Sequence, residues 1–154
     1  METTNEIMLS ETNEIAPTQS MTSFADVLMQ EVTEQGYFAT FKVETMADKK
    51  KLFHARNDNT MLRDAEGEQI QCIGFVLDTV RINDPEAGMK TVPAAHIIAE
   101  DGAVYQSAAT GVVKSVCDII SNFGMPDTWD EPLVVVLKET TTRNGFRYKY
   151  LDVV

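Results

Sequence analysis

Polar and apolar residues alternate over residues 37–46, with Tyr37, Ala39, Phe41 and Val43 on one side and Phe38, Thr40, Lys42 and Glu44 on the other. That period of two predicts a half-buried strand. It returns over residues 68–83, where Ile73, Phe75 and Leu77 interleave with Cys72, Gly74, Val76 and Asp78. Gly74 inside this run predicts a bulge or sharp bend. Residues 91–100 predict a third strand, continued beyond the Asp101-Gly102 turn over residues 103–107. The period then changes to that of a helix. Val112, Val113, Val116, Ile119, Ile120 and Phe123 share one face, and Gly124 follows as a stop, so residues 110–123 predict a helix. Residues 133–141 and 146–153 predict strands four and five. Arg143-Asn144-Gly145 joins them, and Asn-Gly tolerates the positive φ angles of a tight hairpin.

Shorter elements precede and interrupt this series. Ser23 is placed to cap a short helix over residues 23–35, with Asp26 three residues later. Phe24, Val27, Leu28 and Val32 fall on one face of it, and Gly36 ends it. Residues 47–56 predict a second short helix, with Leu52 and Phe53 inward and Lys49, Lys50 and Lys51 outward. Residues 1–22 are rich in Thr, Glu, Asn and Ser and show no sustained periodicity, so they read as a disordered acidic tail. The expected organisation is a tail over 1–22, a short helix over 23–35 and a mainly β domain over 36–154. Strand, strand, strand, helix, strand, strand describes a five-stranded Greek-key barrel of the OB type, with its helix between strands 3 and 4. Barrels of this type bind single-stranded nucleic acid or oligosaccharide on one face and two loops.

Charge first argues against a nucleic-acid ligand, since the net charge is -11. The distribution changes that picture. Residues 1–35 hold seven acids and no Lys or Arg, so the remainder carries 17 acids against all 13 bases, a net of -4. A mildly acidic barrel binds DNA if its bases converge, because local potential matters more than the total. A chain of 154 residues suits one domain, and it contains no apolar run approaching the roughly 18 residues of a membrane span. Met1-Glu2-Thr3-Thr4-Asn5 has no signal-peptide pattern, which predicts a cytoplasmic protein. Cys72 and Cys117 sit in apolar patterns as reduced core residues, and His54 and His96 lack partners at metal-ligand spacing. No metal or cofactor is expected. The absence of a nucleophile elbow or a phosphate-cradling Gly-rich loop argues against an enzyme.

Two groups of residues carry the candidate chemistry. Lys49, Lys50, Lys51 and Arg56 lie on the connection between strands one and two, which flanks the ligand face of an OB barrel. They read either as phosphate contacts or as a solvated helix face. The hairpin Arg143, Phe146, Arg147, Tyr148 and Lys149 interleaves cations with rings, the mixture that holds a backbone while stacking on bases. Phe146, Tyr148 and Tyr150 share a face opposite Arg147, Lys149 and Leu151, and one of these sets can be core. Phe38 and Lys42 point away from Tyr37 and Phe41, which makes Phe38 either an outer-face ring or a residue packed under the first helix. Tyr105 and Gln106 end the third strand near the same surface. Trp129, between Pro126 and Pro132, reads as a plug at one barrel end.

The run Asp101-Gly102-Ala103-Val104-Tyr105-Gln106-Ser107, then Thr110-Gly111-Val112, Phe123-Gly124, Thr128-Trp129, Glu131-Pro132 and a closing hairpin resembles a group of small single-stranded DNA-binding proteins. These belong to phages and conjugative plasmids of Gram-positive bacteria. The likeness covers roughly residues 36–154. It implies an OB fold and sequence-independent binding of single-stranded DNA in replication or transfer, and it assigns no ligand residue. The expected partners are single-stranded DNA, further copies of the chain joined through the N-terminal tail, and replication or transfer proteins, with no membrane. Ile7, Met8, Leu9 and Ile15 are the apolar anchors such a tail offers. The competing readings are an acidic protein-interaction or DNA-mimic module, and an oligosaccharide-binding barrel.

Overall fold

The computed structural model describes residues 23–58 and 60–154, so the tail expected over 1–22 lies outside the described residues. Helix α1 spans Phe24–Gln35. Ser23 caps it by accepting a hydrogen bond from the Asp26 N–H at 3.1 Å, and Gly36 closes it at φ 91°, a left-handed conformation that favours glycine. Strand β1 is only Phe38–Ala39. Helix α2 spans Met46–Asn57, opened by a reciprocal capping box between Thr45 and Asp48. After it come β2 (Thr60–Met61), a 3₁₀ turn, the 16-residue β3 (Gln69–Asp84), β4 (Gly88–Ala99) and β5 (Val104–Ser107). Helix α3 (Thr110–Phe123) precedes β6 (Leu133–Thr141) and β7 (Arg147–Val153).

All seven strands form one sheet in the order β2-β5-β4-β3-β6-β7, with β1 paired separately to β3. The sheet is curled and open, an OB-like core rather than the closed five-stranded Greek-key barrel expected from the sequence. Its end strands, β2 and β7, are not neighbours in it. The expected helix position also needs correction. The third predicted strand is two strands, β4 and β5, and the two-residue β2 adds one more, so α3 follows the fifth strand in the chain. Gly74 marks the predicted irregularity, where the β3–β4 register shifts between Cys72 and Gly74.

The first predicted strand, over residues 37–46, is cut short for a local reason. Its ladder with β3 pairs Phe38 with Leu77 and Ala39 with Val76. Thr40 then takes both of its own hydrogen-bonding groups to one residue. Its hydroxyl accepts from the Phe75 N–H at 2.9 Å and donates to the Phe75 carbonyl at 3.2 Å. Gly74 leaves room for that hydroxyl, since a Cβ there would stand 3.3 Å from it. Beyond Thr40 the chain leaves the sheet and runs beneath α2. There Phe41 and Leu52 pack with the buried Ala55, Val76, Ile98 and Val104.

The main core lies on the other face of the sheet. Phe75, Leu77, Ala95, Ile97, Val135, Leu137 and Leu151 meet Leu28 and Val32 of α1 and the apolar face of α3. Val112, Val116, Ile119 and Ile120 of α3 are buried, each contributing about 1.5–3 kcal/mol relative to exposure. Trp129 packs against this core with its ring edge-on to Phe75, 6.4 Å between centroids. Its indole N–H donates to the Phe123 and Gly124 carbonyls, at 3.0 and 3.2 Å. Cys72 and Cys117 are free and buried, and burial pushes the Cys72 thiol up to about 12.

Helix α3 also covers the free edge of β7. Ser115 Oγ accepts from the Leu151 N–H at 3.1 Å and donates to the Gly111 carbonyl at 2.7 Å. Gly111 lets the backbones approach, because a Cβ there would overlap the Lys149 carbonyl oxygen and the Tyr148 ring.

Two stability predictions follow from these contacts. Gly111→Ala should lower unfolding free energy by about 1–3 kcal/mol or more, since neither a carbonyl nor a packed ring retreats without loss. Thr40→Val should cost about 1–3 kcal/mol, because the buried Phe75 N–H loses its side-chain acceptor. Denaturant melts of each variant against the unaltered chain measure both effects. A variant as stable as the parent refutes the role given to that residue.

Candidate nucleic-acid interface

The β6–β7 hairpin outruns the core. Val135 and Leu137 on β6 and Leu151 on β7 are buried, whereas Thr140 to Tyr148 are exposed. A compact turn fixes its tip. Thr142 N–H donates to the Phe146 carbonyl at 2.7 Å, Gly145 N–H to the Thr142 carbonyl at 2.9 Å, and Phe146 N–H to the Thr142 hydroxyl at 3.1 Å. Gly145 supplies the left-handed residue at φ 85°. The Phe146 ring beside it is 71% exposed, the most solvent-accessible ring among the described residues.

Alternation places Phe146, Tyr148 and Tyr150 on one face and puts Leu151 in the core. Tyr148 and Tyr150 stack with centroids 6.3 Å apart and planes inclined by 23°. The cations of the hairpin differ in how they are held. Arg143 is exposed, and Arg147 is loosely tethered, with Nε 3.5 Å from Glu139 and a side chain 83% exposed. Lys149 is drawn inward to Glu66, at 3.0 Å. Arg143 and Arg147 therefore reorient toward a phosphate more easily than Lys149 does.

The α2 group lies on a different surface. Lys49 and Lys50 are exposed, and Lys51 sits over the Phe41 ring with Nζ 4.2 Å from its centroid. Arg56 is tied into the fold. Its Nε donates to Asp78 at 2.9 Å and its guanidinium lies 5.6 Å from the Tyr37 centroid. The buried Asp78 also bonds His96 Nε2 at 2.7 Å, so one carboxylate ties α2 to both β3 and β4. Lys49, Arg56 and Asp78 border a cleft of about 450 Å³ between α2 and β3, which shares no residue with the hairpin surface. The Lys49–Arg56 group and the hairpin are thus two surfaces.

Phe38 takes the packed alternative. It is half-buried against the main core, while Tyr37 and Phe41 carry the α2 cations above them. Lys42 is exposed. Tyr105 is half-buried, paired to Ile97 and Thr60, and borders a cavity of about 360 Å³ that Glu100 and Asp101 also line. Those carboxylates repel phosphate. Gln106 pairs with His96 and Met61 on the same strand and is half-buried.

Two rings escaped the sequence reading. Phe53, expected inward, is 62% exposed and stands edge-on to His54, because Leu52 and Ala55 form the buried side of α2. Phe123 shares the helical period of the α3 core, yet it occupies the last helical residue and is 48% exposed. Tyr150, by contrast, was legible with Phe146 and Tyr148 as one of the hairpin's alternating rings. Among the described residues no group of three His, Cys, Asp or Glu is placed to hold a metal ion, and no helix is long and apolar enough to cross a membrane.

A family model described as phage single-stranded DNA-binding protein matches residues 31–153, from the second half of α1 to the last residue of β7. No curated protein and no solved structure matches the chain.

Proposed function

Because this chain belongs to the phage single-stranded DNA-binding protein family, and so binds single-stranded DNA without catalysis or sequence preference in phage or plasmid DNA replication or transfer, we propose that the β6–β7 hairpin is its principal DNA contact. The observation that supports this is the exposed ring of Phe146 between Arg143 and Arg147, continued by the Tyr148–Tyr150 stack. Any base offers a π-face to such rings, which explains binding without a sequence code. Arg143 and Arg147 take phosphates. Lys42, Lys49, Lys50 and Lys51 form a second, purely electrostatic contact on and beside α2. Phe38, Arg56 and Lys149 support these surfaces from within. Tyr105 and Gln106, on β5, would form a further contact apart from the hairpin.

Affinity for labelled oligo-dT should fall as salt rises, with a modest slope because few cations converge. Phe146→Ala should weaken binding by about 1–3 kcal/mol without loss of stability, since the ring is exposed. Tyr148→Ala should also weaken it, with a melting curve alongside because this ring rests on Gly111. Fluorescence anisotropy reads both. Unchanged binding by a normally folded Phe146→Ala protein removes the hairpin from the site, and a clear preference for duplex DNA overturns the reading as a whole.

The proposed organisation keeps residues 1–22 as a unit apart from the sheet domain. Four acids and no bases keep that segment off phosphate, while Ile7, Met8, Leu9 and Ile15 offer anchors to a neighbouring copy. Such a link between protomers makes coating of a long strand cooperative and leaves room for replication or transfer proteins as further partners. The proposed setting is the cytoplasm. Deleting residues 1–22 should preserve folding and binding to short oligonucleotides but reduce cooperativity on long ones. Light scattering with and without DNA tests this, and an unchanged mass together with an unchanged isotherm refutes it.

A further inference from the structure

Helix α3 and strand β7 enclose a groove of about 490 Å³ on the outside of their seam. Tyr148 and Tyr150 form its strand wall, and Phe123 stands at the end where α3 terminates. We propose that this groove is a base-binding subsite: it extends the hairpin contact along α3 and receives bases, while the phosphates stay in solvent. The proposal rests on the hairpin reading, since the strand enters from Phe146.

Three observations support it. The rings follow one another, because Tyr148 and Tyr150 share a face of β7, Phe146 lies in the turn just before it, and Phe123 closes the groove that the two tyrosines border. Phe123 remains 48% exposed although the rest of its helical face is core. Its backbone is held in place, because its carbonyl accepts the Trp129 indole N–H, so stacking has only the ring itself to order.

The electrostatics exclude phosphate as the occupant. Lys114 is bound to Asp118 at 3.0 Å, and Lys138 holds Asp152 at 2.6 Å. The hydrogen bond that Lys114 donates to Asp118 raises the Lys114 pKa, and the one that Asp152 accepts from Lys138 lowers Asp152, so each pairing favours the charged form of Lys114 and of Asp152. Each cation beside the groove is matched by a carboxylate, and Asp118 and Asp152 both line it. A phosphate would gain nothing from the paired ammonium groups and would meet two carboxylates. A base carries no charge, stacks on the rings, and offers N–H groups to those same carboxylates.

The consequence is a contact that contributes affinity without releasing counterions. Anisotropy titrations of the full chain with labelled oligo-dT at several salt concentrations separate it from a phosphate contact. Phe123→Ala should weaken binding about tenfold at every salt concentration, leaving the slope of log K against log salt unchanged. Phe123→Trp keeps a ring and should bind as the parent does, with emission from the added indole quenched by saturating oligo-dT. A Phe123→Ala protein that binds as the parent, or whose salt slope falls by about one unit, overturns the proposal. Should Phe123→Ala fail to fold, unquenched emission from the added indole of Phe123→Trp overturns it instead. Normal binding by Phe123→Ala beside weakened binding by Phe146→Ala removes the groove alone. Normal binding by both removes the hairpin reading too.

Discussion

The seam between α3 and β7 is the constraint on which the rest depends. An open sheet ends in a strand with unpaired backbone groups, and such an edge invites other chains unless it is covered. Here a helix covers it. One hydroxyl, that of Ser115, joins the Gly111 carbonyl to the Leu151 N–H, and the missing side chain at Gly111 sets how closely the two backbones approach. That approach drives the apolar face of α3 into the core, where Val112, Val116, Ile119 and Ile120 are buried. It also turns the Tyr148–Tyr150 stack outward along the helix and leaves the hairpin beyond it free to project. Core, closure and the proposed ligand surface share a single contact line.

Charge explains how an acidic protein serves a polyanion. Several of its cations are committed to carboxylates: Arg56 to Asp78, Lys90 to Asp84, Lys114 to Asp118, Lys138 to Asp152 and Lys149 to Glu66. Most of these pairs are exposed and add little stability, but each removes an ammonium or guanidinium from competition for phosphate. On the proposed surface, rings rather than cations would carry most of the binding. Such a surface favours single strands for a simple reason, since bases in a duplex are stacked on one another and their faces are not available. The Arg56–Asp78–His96 cluster has a different task. It anchors α2 over the outer face of the sheet, where Val76, Ile98 and Val104 would otherwise meet water.

Much of this was legible in the sequence because it follows from periodicity and turn chemistry. The helix over residues 110–123 was readable from its apolar spacing and from Gly124, and the last hairpin from alternation and Asn144-Gly145. The irregularity in β3 announced itself as Gly74. The mixture of Arg143, Phe146, Arg147 and Tyr148 was visible because a hairpin tip cannot bury its rings. Charge partition was visible too, with seven acids and no bases in the first 35 residues.

Tertiary structure decided what alternation cannot. The first strand alternates over ten residues, but Thr40 diverts it by satisfying Phe75 twice, a contact between residues 35 apart. Whether the sheet closes depends on which element reaches the β7 edge, and no local pattern encodes that. Arg56 read with its lysine neighbours as one more cation until Asp78 was brought beneath it. Phe123 carried the same periodic signal as the buried residues of α3, and only the end of the helix left it in solvent. Local sequence determined the elements and their chemistry, because φ/ψ preference and side-chain period act within a few residues. Closure, charge pairing and exposure waited on the fold, because each is set by residues that are distant in the chain.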